Sequence, residues 1–267
     1  MNKGVVLFAF DNEIYNYRRM ASWSARRIQR YLDLPVTLIT DRASDDDVYD
    51  QVVIIDNPTS GSRYFSDADT AASWHNHSRP LASALTPYDR TLVLDVDYVV
   101  CSDQLRSLFD SDQDFLCHDR AWDVTGVTDY SGLNIFGRNR MPMSWATVMY
   151  FRRGQISDMI FDLMSMVKDH WPHYRDLYGL PVRNTFRNDH ALSIALNIVR
   201  GHQPSGPAIE WGLASVDPQH RVTQASDDQF RVEFTNADQK LRYITLQGQD
   251  LHVMGKRDLG EIIGHTG

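Results

Sequence analysis

The sequence predicts an α/β fold, a mixed and mainly parallel sheet flanked by helices, with a C-terminal β-hairpin. Three observations predict it. Short apolar runs alternate with amphipathic helical stretches through the first hundred residues, the order of a sheet wound with helices on both faces. One run, Thr91 to Val100, is rich in Leu and Val and carries Asp95 and Asp97, as a buried parallel strand would if it delivered acid to the carboxyl edge where such sheets bind ligands. Near the C-terminus, residues 230–234 and 241–246 alternate apolar and polar positions around Asn236-Ala237-Asp238, the pattern of a hairpin with one face in solvent.

Taken in order, Val5 to Phe10 forms a first buried strand that breaks at Asp11-Asn12, with Asn12 placed to cap the helix that follows. That helix runs from Glu13 to Tyr31, because Ile14, Tyr17, Met20, Ala21, Ser24, Ala25, Ile28 and Leu32 recur at three- and four-residue steps. Its other side, with Arg18, Arg19, Arg26, Arg27 and Arg30, is expected to face solvent. Pro35 ends the turn, and β-branched Val36 to Thr40 makes a second strand. Asp45-Asp46-Asp47 is a solvated loop. Val52 to Ile55 is a third strand, Pro58 to Asp69 a Ser-, Gly- and Asp-rich loop, and Trp74 to Leu85 a helix leading into the Asp95 strand.

Beyond the acid pair, Leu105 to Phe109 suggests a short helix and Asp114 to Cys117 a strand. Residues 119–142 have too few apolar residues in register for either period and are expected to be irregular. Ala146 to Phe151 is strand-like, Ile156 to Val167 carries a helical apolar stripe, and Asn188 to Val199 is a helix. Asn188 is its expected N-cap, and Asp189 lies in the first turn where the helix dipole favours a carboxylate.

With 42% hydrophobic residues in 267, the chain can bury a sizeable core, and a single domain over 1–267 is expected. A net charge of -8 argues against binding nucleic acid by bulk charge. Two cysteines without metal spacing, no signal-type N-terminus and no apolar run long enough to span a membrane point to a reducing, cytoplasmic setting.

Three features can meet at one sheet edge: Asp11 to Tyr15 after the first strand, Asp95 and Asp97 after the fourth, and His252-Val253-Met254-Gly255-Lys256. An extended chain points Asp95 and Asp97 to one side, where both carboxylates could reach one hard cation. Two acids and an imidazole suit Mn²⁺, or Mg²⁺ as a poorer substitute. An acidic protein needs such a cation to hold a diphosphate leaving group. Arg79 and Lys256 could add positive charge to the phosphates.

The combination resembles the GT-A glycosyltransferases, family 8 above all. The resemblance implies that Phe10, at the end of the first strand, meets the nucleotide, with Asp11 and Tyr15 placed like the residues that touch base and ribose. It implies that Arg79 binds the donor, that Asp95-Val96-Asp97 is the metal-binding Asp-x-Asp, and that His252 is the third metal ligand in a His-x-x-Gly ending at Gly255. Asp189-His190 is similar to the Asp-Gln pair under the transferred sugar, which makes Asp189 the candidate nucleophile or stabiliser of an oxocarbenium-like state. Residues 1–100 are then the nucleotide-binding part, and 101–267 the acceptor side with the metal-ligand motif. The chain departs from the family in placing Lys256 directly after Gly255, with no Pro-Trp following. It also has Trp145-Ala146-Thr147 where the family has Asn-Ala-Gly, so sugar identity does not carry over.

The implied function is metal-dependent transfer of a sugar from a nucleoside diphosphate sugar, UDP first, to a hydroxyl acceptor with retention. The sequence leaves the acceptor open among lipid-linked saccharide, protein, small metabolite and a modified DNA base of a phage. Nucleic acid enters only in that last role, where Arg138, Arg140, Arg152, Arg153, Arg183 and Arg187 could offer phosphate contacts beside the site, although dispersed arginines are more commonly plain surface residues. One alternative is a haloacid dehalogenase-type phosphatase using Asp95 and Asp97, although its acid pair belongs on a first strand. A pyrophosphorylase would need a Gly-rich loop after Phe10. A non-catalytic sugar-nucleotide-binding module would keep Asp11 and the core but show no metal-dependent turnover.

Overall fold

A computed structural model describes residues 2–56, 61–75, 77–181, 185–203 and 206–265. The chain opens with β1 (Lys3–Phe8), α1 (Tyr17–Leu32), β2 (Val36–Thr40) and β3 (Gln51–Ile54), then a ribbon of β4 (Ser62–Phe65) and β5 (Thr70–Ser73). A 3-10 turn at Arg79–Leu81 runs into the single-turn α2 (Ala82–Leu85), followed by β6 (Arg90–Leu94) and β7 (Tyr98–Val99). The middle of the chain holds a 3-10 stretch at Gln104–Asp110, β8 (Phe115–His118), β9 (Ala121–Asp123), the paired β10 (Ile135–Phe136) and β11 (Met141–Pro142), and the long β12 (Trp145–Arg152). Helices α3 (Gln155–Asp169), α4 (Trp171–Leu177) and α5 (Asn188–Val199) lead to β13 (Leu213–Val216), β14 (Arg221–Ser226), β15 (Gln229–Thr235), β16 (Leu241–Gln247), β17 (Leu251–Val253) and α6 (Lys256–His265).

The central sheet has the order β3-β2-β1-β6-β12-β8. Its β1, β2, β3 and β6 run parallel, and β12 is antiparallel to both neighbours, so the sheet is mixed and mainly parallel, as the alternation of strands and helices predicts. Burial explains the uniformly apolar strands. Val5, Val6, Leu7, Leu92, Val93 and Leu94 are fully buried, the state of strands covered on both faces. A second sheet, β7-β17-β13-β9, and an antiparallel β14-β15-β16 sheet complete the chain.

Several local expectations change. Asp95 and Asp97 do not lie on one continuous strand: β6 stops at Leu94, Tyr98 N–H donates to the Asp95 carbonyl at 3.0 Å, and β7 joins the second sheet. A turn, not strand alternation, therefore brings the two carboxylates together. Helix α1 begins later than expected. Asn16 accepts from Arg19 N–H at 2.8 Å, and Asp11 accepts from Arg18 N–H at 2.9 Å, while Asn12 ties down its own loop by accepting from Ile14 and Tyr15 N–H. The expected helix from Trp74 is reduced to its last turn, because Pro80 has no N–H to continue one. The loop predicted over 58–69 contains β4, and the supposedly irregular 119–142 contains β9, β10 and β11. Asn188 is the first residue of α5, not its cap; Arg187 holds the cap position.

Arg27 is also not on a solvated face. It is 6% exposed, donates to the Val100 carbonyl at 2.8 Å and to the Asp227 carbonyl, and lies 4.8 Å over Trp23 and 5.5 Å over Phe230. The guanidinium satisfies a carbonyl where β7 has ended, and so fastens α1 to the C-terminal sheet.

Close packing of β1 gives a stability prediction. A Cβ on Gly4 would come within 2.3 Å of the Tyr88 ring, and that ring is fixed where its hydroxyl oxygen accepts from the Thr37 hydroxyl at 2.9 Å. Gly4→Ala is expected to lower unfolding free energy by about 1–3 kcal/mol, the usual cost of overpacking a core. The check is a lower denaturant midpoint at unchanged slope.

Candidate active site

The carboxyl ends of β1 and β6 open into a cleft walled by the β4–β5 ribbon, the start of β12, the start of α5 and the β17–α6 junction. Asp95 follows β6 directly, and its N–H donates to the Thr147 carbonyl at 2.9 Å. His252 is placed beside Asp97 by strand pairing: it is the partner of Tyr98 across β7 and β17, and Val253 N–H donates to the Asp97 carbonyl at 2.9 Å. Asp250 secures that pairing. Its Oδ1 accepts from Cys101 N–H at 2.7 Å, Ser102 N–H at 2.8 Å and the Ser102 hydroxyl at 3.0 Å.

Ligand atoms of Asp95, Asp97 and His252 lie within 4.8 Å of one another, the single such group among the described residues. His252 turns Nε2 toward Asp97 Oδ1, at 3.8 Å, and Nδ1 toward the Ser215 hydroxyl at 3.4 Å, which fixes the ring as an outer-shell partner does for a metal ligand. Two carboxylates and an oriented imidazole fit a divalent cation of the Mn²⁺ or Mg²⁺ kind. Each carboxylate is also held by a cation of the chain: Arg79 pairs with Asp95, and Lys256 Nζ lies 2.7 Å from Asp97 Oδ2. Burial raises the Asp95 carboxyl above its ordinary value, with Asp97 adding to the rise and Arg79 opposing it. At Asp97 burial is outweighed by Lys256 and then His252, which hold the carboxyl low.

Arg79 is buried, and its second guanidinium nitrogen donates to the Ala146 carbonyl at 2.8 Å. That carbonyl is available because the β12–β8 register shifts between Trp145 and Met149. The same irregular backbone serves Asp189. Ala146 N–H donates to Asp189 Oδ1 at 3.0 Å, while Arg187 pairs with Oδ2 at 2.8 Å. Against the cost of burial, Arg187 and that backbone bond keep the Asp189 carboxyl below the ordinary value, so it is ionised at neutral pH.

Of the residues expected at the site, Phe10, Arg79, Asp95, Asp97, Asp189, His252 and Lys256 all line the cleft. Asp11 and Tyr15 stand behind the wall, where Asp11 accepts from α1 and Tyr15 packs edge-on against Tyr17 and Phe65. Asn12 and Tyr17 line it instead. Gly255 lines an adjoining hollow with Pro218 and Arg221. His190 turns away from the cleft and stacks on Trp171 at 5.7 Å. Among the arginines considered for nucleic acid, Arg187 lines the cleft, whereas Arg152 pairs in register with Arg90 at the opposite end of the sheet and Arg153 donates to the Thr86 carbonyl. Arg183 lies outside the described residues. Arg63, on the ribbon, is a cleft residue that sequence patterning did not single out.

Two buried histidines give a pH prediction. Burial, and at His190 then Arg187, pushes His118 and His190 down to about 4. Between about pH 6.5 and 4 the unfolded chain binds protons that the folded chain refuses, so stability is full at neutral pH and falls as pH drops through that window. The expected loss between pH 7 and 5 is a few kcal/mol in all, on the order of 1.4 kcal/mol per pKa unit. His190→Phe keeps a ring on Trp171 and should flatten the dependence measured by denaturant unfolding.

No family model matches the sequence, and no curated protein matches it. Solved structures similar to it include the apo form of the glycosyltransferase GlyE of Streptococcus pneumoniae TIGR4, at 13% identity and TM-score 0.44 over 79% of this chain and 45% of that one. Another is the galactosyltransferase LgtC with donor and acceptor sugar analogs, at 16% identity and TM-score 0.44 over 72% of this chain and 70% of that one. The bifunctional glycosyltransferase WbbM aligns at 14% identity and TM-score 0.38 over 82% of this chain and 47% of its own. The chain thus spans less than half the length of the GlyE and WbbM structures. No helix among the described residues is long and apolar enough to cross a membrane.

Proposed function

We propose that the protein transfers a sugar from a nucleoside diphosphate sugar, with UDP as the nucleotide, to a hydroxyl acceptor, and that the sugar keeps its anomeric configuration. The observation that carries this reading is the convergence of Asp95, Asp97 and His252 at the carboxyl edge of the sheet, with Arg79 and Lys256 already in contact with the two acids. Asp95, Asp97 and His252 would hold Mn²⁺ or Mg²⁺, which supplies Lewis-acid stabilisation of the departing diphosphate.

The chain's own groups do the rest. Arg79 and Lys256 each neutralise a carboxylate and can turn to phosphate oxygens when substrate enters. Phe8, Phe10, Asn12 and Tyr17 give the cleft an end with apolar faces and one amide, suited to a base and ribose, with Asp11 and Tyr15 behind them. Asp189, ionised and held from both oxygens, is fit to act on the sugar as nucleophile or as stabiliser of an oxocarbenium-like state. Cys101 and Cys117, both free and buried, accord with a reducing compartment such as the cytoplasm.

The test is nucleotide release from a panel of UDP- and GDP-sugars, with Mn²⁺ and with a chelator. Release that needs Mn²⁺ is the expected result. No release from any donor, together with hydrolysis of a phosphate monoester, would favour the phosphatase chemistry of an Asp-x-Asp pair instead.

A further inference from the structure

Four cationic side chains line the cleft: Arg63, Arg79, Arg187 and Lys256. Three of them face an acid, Arg79 with Asp95, Lys256 with Asp97 and Arg187 with Asp189. Among the described residues Arg63 has no such partner. Its guanidinium lies 4.5 Å over the Trp74 ring and 5.6 Å over Phe65. Burial, and after it the charge of Arg187, draws Arg63 below its ordinary value, and it also stands in the fields of Tyr17, Asp189 and Asp97. Contact with aromatic faces offsets only part of the cost of withdrawing a guanidinium from water, and a second guanidinium nearby adds to it.

The position is built. Arg63 pairs with Ala72 across the ribbon, and the ribbon is anchored at both ends. Asn12 donates to the Ser73 carbonyl at 3.1 Å, Glu13 accepts from Ser73 N–H at 2.7 Å, and Asp67, just past β4, accepts from Arg257 N–H at 3.0 Å at the start of α6. A guanidinium so fixed presents a planar fork of donors that matches a carboxylate or phosphate, and a neutral sugar hydroxyl matches it poorly.

We propose that Arg63, with Arg187 beside it, binds an oxyanion carried by one of the two sugars of the reaction, a carboxylate or a phosphate monoester, and so selects an acidic sugar substrate. The proposal rests on the transferase reading and names the substrate class for that site. The oxyanion can belong to the donor sugar or to the acceptor, and two measurements separate these sources.

In the first, UDP-glucuronate, UDP-galacturonate, UDP-glucose and UDP-galactose compete with UDP for the protein in the presence of Mn²⁺. A donor oxyanion predicts that a uronate binds about tenfold or more tighter than its neutral counterpart, the effect of one charge-assisted contact. The preference should vanish in Arg63→Met and survive in part in Arg63→Lys. In the second, glucuronate and glucose 6-phosphate are titrated into protein saturated with UDP and Mn²⁺. Saturable binding that Arg63→Met loses assigns the oxyanion to the acceptor. If UDP binds but neither measurement shows a preference, the proposal is overturned and Arg63 is a packed cation only. If Arg63→Met weakens UDP as much as a UDP-uronate, Arg63 is a diphosphate contact and the proposal is again overturned. If neither UDP nor GDP binds, the transferase reading itself fails, and the inference with it.

Discussion

Asp97→Asn is expected to lower Mn²⁺-dependent nucleotide-sugar turnover by at least about 100-fold, the upper end of what losing even an outer-shell metal partner costs. The substitution preserves shape and removes one charge from a buried carboxylate that faces His252 Nε2 at 3.8 Å and Lys256 at 2.7 Å. Two consequences follow from the same geometry. Lys256 loses its counter-charge, which is destabilising, while the Asp95 carboxyl is relieved of a neighbouring charge that raises it, so the two effects oppose each other and the fold should persist. Thermal unfolding can read the site without turnover. Mn²⁺ should raise the transition temperature of the unmodified protein and leave that of the variant unchanged, because a ligand stabilises only the state that binds it. An equal Mn²⁺ shift in both proteins would place the cation elsewhere.

Asp189→Asn should separate chemistry from binding. The carboxamide oxygen can still accept from Ala146 N–H, but the charge that Arg187 and that bond hold in place is lost. Turnover is expected to fall about 10²–10⁴-fold, the span attributed to a positioned acid or base, with donor KM changing little. A matching rise in KM with kcat intact would make Asp189 a binding residue only. Comparing the anomeric configuration of the unmodified protein's product with that of the donor tests retention directly.

Much of this site was legible because its parts follow strong local signals. An apolar run ending in Asp marked the carboxyl edge at Asp95, and the spacing of Asp97 to it survived even though a turn replaced the expected strand. Asp189 was visible as an acid at a helix start. The alternation of strands and helices likewise announced the mainly parallel sheet. Arg63 was missed because β4 has four residues, Ser62 to Phe65, among Ser, Gly and Asp, and its pairing with β5 leaves no period that a window can detect. β14 was missed for a related reason: Arg221 to Ser226 is largely polar and buries only Val222, so only its partner β15 explains it. Arg27 looked like part of a solvated face because its partners, the Val100 and Asp227 carbonyls, are 73 and 200 residues away in sequence. Asp250 gave no signal either, since its role is to accept from backbone N–H groups of a distant segment.

The central claim, a nucleoside diphosphate held through a divalent cation on Asp95, Asp97 and His252, is tested most directly by calorimetric titration of UDP into the protein with and without Mn²⁺. Saturable binding that requires Mn²⁺ and is lost in Asp97→Asn is the predicted result. Binding that is indifferent to Mn²⁺ and to the substitution, or absent for both UDP and GDP, would contradict it.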